Sequence, residues 1–279
     1  MNGFDPIWLA LREPADRAAR NGEVRAACAA HFADSRGITI VDLGCGAGSN
    51  LRALAPHLPR KQFWRLVDHD PALLEAARSA LGRWADGVGM VENGLRLAKH
   101  DLQIDVEFIQ ADLASDLIET LAPSADLVSA AALLDLVSVG WLRAFCDLLA
   151  RKRLPLYAAL TYNGEERWIP PHAHDAAVRH AFHAHQARDK GFGPAAGPQA
   201  APLVVGLLAQ RGYQIVEGRS DWRLDGDDRA LIRALTDGVV AACRETGLID
   251  APAMQSWRGA RREASVIIGH IDLFATLSD

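Results

Sequence analysis

A short buried strand that runs directly into a glycine-rich turn is the feature that most limits how this chain can fold. The strand is the β-branched, apolar run from Ile38 to Leu43, and the turn after it is Gly44-Cys45-Gly46-Ala47-Gly48. A helical pattern follows the turn, and a second strand, from Phe63 to Asp68, follows the helix. This unit is typical of open α/β sheets, in which ligands bind at the carboxyl edge of the parallel strands. The sequence therefore predicts a crevice for an anionic or polar ligand group beside the turn.

Strands and helices continue to alternate along the chain. Further strands are predicted at residues 104–110, 125–130, 154–161, 213–217 and 265–275. Asp70-Pro71 offers a capping side chain followed by proline at the first helical position, which predicts a helix from Pro71 to about Trp84. Asn93-Gly94 signals a hairpin within residues 87–101, a stretch that the sequence leaves open. The alternation predicts a parallel sheet with helices on both faces.

Two segments depart from this alternation. Residues 8–33 have the pattern of two short helices rich in Ala and Arg, which predicts a helical cap over residues 1–35 in front of a domain over residues 36–279. Between Tyr162 and Pro202, a His-rich helical stretch is flanked by Pro170-Pro171 and Gly191-Phe192-Gly193-Pro194. That segment is too long for an ordinary connection, so we expect residues 162–202 to form an inserted lid.

Composition and charge exclude several classes of protein. Apolar residues make up 49% of the chain and charged residues 23%, which is typical of a globular protein. The formal net charge is −5 with the basic residues dispersed, so no nucleic-acid partner is predicted. No apolar run approaches the roughly 20 residues that span a bilayer, and we expect a cytoplasmic protein with no membrane partner. The cysteines form no CxxC motif and stand far apart, at Cys28, Cys45, Cys146 and Cys243.

The glycine turn and the acid after the second strand resemble the motifs of one enzyme family. The GxGxG spacing of Gly44, Gly46 and Gly48 differs from the GxGxxG of a dinucleotide site. Val41 to Gly48 and Val67-Asp68 resemble the first two motifs of class I S-adenosylmethionine-dependent methyltransferases. The resemblance covers roughly residues 36–160 and 203–277. It implies a Rossmann-like, seven-stranded sheet that is mostly parallel, with a reversed last strand and helices on both faces.

The resemblance implies S-adenosylmethionine as the cofactor. In the family, the glycine turn lies against the methionine part, the acid after the second strand holds the ribose, and an acid after the third strand contacts the adenine amino group. Asp68 and Asp112 match those two acids. The implied cofactor-binding residues are Asp42, Gly44, Gly46, Gly48, Asp68, Asp112, Leu113 and Ser129. The residues alone leave open whether Asp42 and Asp112 instead cap backbone amides.

The methyl acceptor is less clearly marked. No Asn-Pro-Pro-Tyr tetrad follows the fourth strand, which argues against methylation of a planar amide or adenine amine by that route. We expect a small polar metabolite methylated at a hydroxyl oxygen. Arg12, Arg17 and Arg20 lie in the helical cap, where an arginine can clamp a carboxylate. The predicted substrate-binding residues are Arg12, Asp135, Tyr162, Gln186, Asp189 and Lys190.

Histidines in the lid supply the predicted general base. His180 and His183 share one helix face, whereas His185 and Asp189 share another, so either pair could orient an imidazole or bind a metal. We predict His185 as the base. No metal site is predicted, because a divalent site needs three or four converging ligands.

Two other functions remain possible at the sequence level. An NAD(P)-linked oxidoreductase could use the same crevice, and so could a cofactor-binding protein without catalysis. The GxGxG spacing favours methyl transfer over hydride transfer. The sequence leaves open the identity of the acceptor, O- against N-methylation, and the oligomeric state, a homodimer included.

Overall fold

The computed structural model describes residues 5–121, 124–189 and 191–277. It is an α/β fold built on one mixed 10-stranded sheet with helices on both faces. The strands are β1 (Ile38–Leu43), β2 (Lys61–Asp68), β3 (Gly87–Val91), β4 (Gly94–Lys99), β5 (Leu102–Gln110), β6 (Leu127–Ala131), β7 (Leu156–Ile169), β8 (Tyr213–Arg219), β9 (Trp222–Leu224) and β10 (Ser265–Leu277). The α-helices are α1 (Pro6–Ala19), α2 (Gly22–His31), α3 (Ser49–Leu54), α4 (Pro71–Trp84), α5 (Leu117–Thr120), α6 (Val139–Lys152), α7 (Asp175–Gln186), α8 (Ala200–Ala209), α9 (Arg229–Thr246) and α10 (Ala251–Ala260). In the described residues, no helix is both long and apolar enough to cross a membrane.

The strands lie in the order β3-β4-β5-β2-β1-β6-β7-β10-β8, and β9 pairs with β10. Strands β5, β2, β1, β6 and β7 run parallel, while β10 is antiparallel to both β7 and β8. The last strand is therefore reversed, as expected. The expected number of seven strands is wrong, because the β3–β4 hairpin extends one edge and β9 adds a short strand against β10. At three residues, β9 is too short to produce a strand pattern in the sequence.

The hairpin that the sequence leaves open does form. Val91 pairs with Gly94, so Glu92 and Asn93 make the turn between β3 and β4. On the other side of β4, a Cβ atom on Gly94 would lie 1.7 Å from the carbonyl oxygen of Val106 in β5. Only glycine therefore lets the start of β4 lie this close to β5.

We predict that Gly94→Ala destabilises the protein, because the added methyl group must push β4 away from β5. Overpacking of this kind costs about 1 to 3 kcal/mol. The matched control is Gly89→Ala in β3, whose Cβ would meet its nearest atom at 3.7 Å, an ordinary contact. Urea unfolding of both variants measures the difference. Equal stabilities would mean that the hairpin shifts freely on β5.

Strand β7 carries the chain beyond the parallel sheet. Its pairing with β6 ends at Ala159, after which it continues to Ile169 paired with β10 alone. This extension bears a core of its own that includes Tyr162 and Trp168, packed with α7, α9, α10 and side chains of α1. The first eight residues of the 162–202 segment are thus strand. The division into cap, domain and lid stays a prediction.

Candidate active site

The glycine turn follows the carboxyl end of β1, and its backbone has angles that residues with a side chain rarely adopt. Gly44, Gly46 and Gly48 have φ angles of 62°, 51° and 74°. A Cβ on Gly44 would lie 3.2 Å from the side chain of Leu133, and one on Gly46 would lie 3.2 Å from the side chain of Leu9 in α1. Both the backbone angle and the close packing therefore require glycine, and α1 lies over the turn.

Asp68, at the tip of β2, fastens the turn to the neighbouring strand. One carboxylate oxygen accepts a hydrogen bond from the Gly46 amide at 2.9 Å, and the other accepts one from the Asp70 amide at 3.1 Å. Asp70 in turn caps α4 by accepting from the Ala72 amide at 2.8 Å, as predicted. Asp68 is 5% exposed. It thus lies beside the turn, at the carboxyl edge of the sheet.

A row of polar side chains crosses the sheet next to the turn. Asp42 in β1 is in register with Ser129 in β6, and Ser129 is in register with Tyr157 in β7, so all three face the same side. Asp42 Oδ1 accepts hydrogen bonds from Ser129 Oγ and from the Asn50 amide group, each at 2.6 Å. Burial raises the pKa of Asp42 to about 6. Among the described residues, its Oδ2 atom has no hydrogen-bond partner.

A buried guanidinium faces this row. Arg20, between α1 and α2, is 6% exposed, and its Nε and Nη1 atoms have no partner among the described residues. Its charge lies near enough to Asp42, Tyr157 and Asp272 to oppose the rise that burial causes in their pKa values. Buried polar atoms are almost always paired. The Tyr157 hydroxyl lies close enough to Arg20 to interact with it, so the unpaired atoms that indicate a place for a polar ligand are those on Arg20 and Asp42.

Two contacts hold the connection from α1 to α2 over that place. Glu13 in α1 makes a bidentate ion pair with Arg52, at 2.8 and 2.6 Å. Asp272 in β10 accepts hydrogen bonds from the amides of Asn21 at 2.9 Å and Leu160 at 2.7 Å. Arg20 is thereby fixed above the sheet.

Arg12, the arginine that the sequence favours as a substrate clamp, is already engaged. Its guanidinium donates to both carboxylate oxygens of Asp16, at 2.9 and 3.1 Å, and lies 5.0 Å from the centre of the Trp222 ring. Asp16 also accepts from the Trp222 indole at 2.9 Å. Arg12 therefore joins α1 to β9, and Arg20 is the arginine with donors to spare.

The acid after β5 takes the capping role that the sequence left open. Asp112 is exposed and accepts from the Ala114 amide at 2.9 Å. The Asp68 carbonyl accepts from the Ala111 amide at 3.1 Å, which brings the ends of β2 and β5 together. Leu113 is buried, and its carbonyl accepts from the Trp141 indole at 2.7 Å.

On the acceptor side, Tyr162 lies at the start of the β7 extension and makes two short hydrogen bonds. Its hydroxyl is 2.9 Å from Glu166 Oε1 and 2.9 Å from His183 Nε2 on α7. Asp135, in the loop after β6, is buried and contributes to the raised pKa of Tyr162, although burial is the main cause. The Asp135 carbonyl also accepts from the Gly197 amide at 3.0 Å, which fastens the end of the 162–202 segment to this loop.

Of the other predicted acceptor-side residues, His185 and Asp189 make their hydrogen bonds outside that group. His185 hydrogen-bonds Glu245 on α9 at 3.1 Å, and no hydrogen bond or ion pair in the described chain joins it to the glycine turn. Asp189 caps the next turn by accepting from the amides of Gly191 and Gly193, at 2.8 and 2.9 Å. Gln186 carries a buried, unpartnered Oε1 atom. Lys190 lies outside the described residues. Within those residues, no three metal-ligating side chains come together.

Comparison with solved structures identifies the fold. A proposed methyltransferase from Bacillus halodurans aligns over 92% of this chain and 100% of its own, with 13% identity and a TM-score of 0.51. A cyclopropane-fatty-acyl-phospholipid synthase-like protein from Lactobacillus casei aligns over 93% and 91%, with 13% identity and a TM-score of 0.50. The chain has the class I methyltransferase fold. No protein-family model matches the sequence, and no curated protein matches it either.

Within this methyltransferase fold, two groups of predicted site residues lie at the carboxyl edge of the sheet. Those brought together around the carboxyl ends of β1, β2, β5 and β6 are Asp42, Gly44, Gly46, Gly48, Asp68, Asp112, Leu113 and Ser129. Tyr162 and Asp135 lie beside the neighbouring end of β7. The roles assigned to these residues stay predictions.

Proposed function

We propose that the chain is an S-adenosylmethionine-dependent methyltransferase. The observation that carries the proposal is a set of buried, unpaired atoms on two side chains whose charges interact, Nε and Nη1 of Arg20 and Oδ2 of Asp42. A ligand with a carboxylate and an ammonium group on one carbon satisfies both of them. The methionine part of S-adenosylmethionine has those two groups.

The remaining residues fit the rest of this cofactor. Asp42 would hold the ammonium group and Arg20 the carboxylate, each through a charge-assisted hydrogen bond. Asp68 would accept from the ribose hydroxyls, and Asp112 would lie next along the edge, towards the adenine. The glycine turn lets the backbone approach the ligand closely. An NAD(P) molecule could offer phosphate oxygens to Arg20, but it has no ammonium group to pair with Asp42.

When bound, the cofactor supplies an activated methyl group on a sulfonium centre, and the protein needs only to place the acceptor and take up its proton. We propose a small polar acceptor, methylated at a hydroxyl oxygen. The 162–202 segment is fastened over the loop after β6 by the amides of Ala196 and Gly197, which favours a metabolite over a macromolecule. The net charge of −5 gives no support to a nucleic-acid substrate.

The test is transfer of a labelled methyl group. The protein is incubated with S-adenosylmethionine carrying a ¹³C-methyl group and with a cellular extract of small metabolites, and the mixture is analysed by mass spectrometry. The proposal expects S-adenosylhomocysteine and one labelled metabolite. Reduction of NAD(P) in the same extract, without labelled product, would support the oxidoreductase instead.

We predict that Asp68→Ala weakens S-adenosylhomocysteine binding by about 1 to 3 kcal/mol, the usual cost of losing hydrogen bonds to a charged acceptor. Asp70→Ala is the matched control, because it removes a neighbouring acid whose side chain caps α4. Calorimetry measures both affinities. Unchanged affinity in Asp68→Ala would remove this acid from the site.

A further inference from the structure

Tyr162, Glu166 and His183 form a hydrogen-bonded group at the edge where a methyl acceptor would bind. Parallel pairing of β7 with β6 ends at Ala159, so Tyr162 lies just beyond the carboxyl edge of the sheet. Strands β1, β6 and β7 are neighbours, so Tyr162 is displaced from the glycine turn by two strand spacings, about 10 Å along the edge. The group thus lies beside the cofactor crevice and not within it.

The hydrogen bonds of this group determine which nitrogen of His183 carries its proton. The Tyr162 hydroxyl donates its only proton to Glu166 Oε1. In its contact with His183 Nε2 the Tyr162 oxygen must therefore be the acceptor, so Nε2 carries the ring proton. The second ring nitrogen, Nδ1, then carries a free electron pair. Within the described residues, Nδ1 has no hydrogen-bond partner. The His183 side chain is half-buried, and its Cε1 atom lies close to Gly164, 3.6 Å from the position that a Cβ atom on that glycine would take.

The surroundings keep the imidazole neutral and the phenol protonated. Burial lowers the pKa of His183, and the nearby charges of Arg179 and His180 on the same helix lower it further. Burial and the charge of Glu166 raise the pKa of Tyr162. Burial also raises the pKa of Glu166, while the hydrogen bond from Tyr162 and the charge of Arg179 oppose that rise and favour the carboxylate. From β10, His270 also faces Tyr162, with ring centres 6.2 Å apart, and burial lowers its pKa to about 3, so it adds no positive charge. From the loop after β6, Asp135 adds negative charge.

We propose that His183 Nδ1 accepts the proton of the methyl acceptor, and that Tyr162 and Glu166 are positioning residues that hold the required tautomer. This proposal rests on the proposed methyl transfer. As the acceptor oxygen forms its bond to the methyl carbon, its proton passes to Nδ1. The carbon–sulfur bond breaks, and its electron pair stays on sulfur. The imidazolium that results is stabilised through Tyr162 by the Glu166 carboxylate, and it later gives its proton to water.

The first test measures the tautomer and needs no acceptor. Nitrogen-15 NMR of the histidine side chains in the full chain should show His183 protonated on Nε2 and not on Nδ1. Tyr162→Phe removes the oxygen that accepts from Nε2–H, so the variant should show a mixture of tautomers. A wild-type ring protonated on Nδ1, or a tautomer unaffected by Tyr162→Phe, would overturn the proposal.

The second test measures methyl transfer in the labelled metabolite extract. We expect His183→Gln to lower the rate about 100-fold or more, because general bases contribute about 10²- to 10⁴-fold, with S-adenosylhomocysteine affinity by calorimetry unchanged. His180→Gln, an exposed position one turn earlier on α7, is the comparison variant: it leaves the base in place and removes only a nearby charge that lowers the pKa of His183, so it should change the rate far less. His185→Gln tests the rival base, and a loss of rate there with none in His183→Gln would overturn the assignment. If the wild type binds the cofactor but transfers no label, the proposed function fails, and the NMR result still decides the tautomer.

Discussion

Asp42→Asn is expected to make the cofactor-free protein more stable at pH 7 by about 3 kcal/mol. Burial raises the pKa of Asp42 from 3.8 to about 6, and a difference of that size corresponds to about 3 kcal/mol between the two protonation states. The raised pKa means that the folded protein favours protonated Asp42. The stability that this protonation adds is fully present below pH 3.8 and is lost as the pH rises through 6. Asparagine has no charge to desolvate.

Urea unfolding at two pH values measures this effect. The advantage of Asp42→Asn over the wild type should be about 3 kcal/mol at pH 7 and roughly half of that at pH 5, where most of the native Asp42 is already protonated. A variant that is less stable than the wild type at both pH values would mean that the ionised carboxylate is needed to hold Ser129 and Asn50.

The same substitution should remove the pH dependence of cofactor binding. An ammonium group requires an ionised Asp42, so wild-type affinity for S-adenosylhomocysteine should rise about tenfold between pH 5 and pH 7. In Asp42→Asn the affinity should be weak and nearly constant over that range. Parallel curves for the two proteins would show that Asp42 does not bind the charged end of the ligand.

Arg20→Met is expected to weaken S-adenosylhomocysteine binding at least about 30-fold. Truncating one partner of a buried, hydrogen-bonded charge pair costs about 2 to 5 kcal/mol, and methionine keeps most of the volume and apolar length of the side chain. Arg20→Lys should bind with intermediate affinity, because an ammonium group cannot reproduce the two-pronged geometry of a guanidinium.

A matched control separates this role from a general effect of charge on α1. The side chain of Arg17, on the same helix, is 55% exposed and pairs only with Glu13 among the described residues. Arg17→Met should therefore bind the ligand as the wild type does, by calorimetry. An equal loss of affinity in both variants would mean that the helix, and not the Arg20 guanidinium, supports binding.

The central strands could be predicted from the sequence because each contains a short apolar run of the length of a buried strand, the clearest being Ile38 to Leu43, which Gly44 ends. The helix from Pro71 to Trp84 was predictable for a local reason, since Asp70 and Pro71 supply its cap and first residue. Strand β9 and helix α10 were not predicted. Trp222–Leu224 is too short for a strand pattern, and it is ordered by packing against α1 and β10.

The site was less predictable, because the choice among like residues depends on tertiary partners. Arg12 and Arg20 both lie in the helical cap, but Arg12 is paired with Asp16, whereas two nitrogens of Arg20 have no partner among the described residues. The spacing of Arg12 and Asp16 as i and i+4 was a usable sequence signal. His183 and His185 differ in the same way. No local pattern tells which of the two faces Tyr162, whereas the fold turns His183 towards it.

Calorimetric titration of the full chain with S-adenosylmethionine, S-adenosylhomocysteine and NAD tests the central claim most directly. Arg20, Asp42 and Asp68 together predict that both adenosyl ligands bind with dissociation constants near or below the micromolar range, about −8 kcal/mol, and that NAD does not bind. Binding of NAD in preference to the adenosyl ligands, or no binding of either adenosyl ligand, would contradict it.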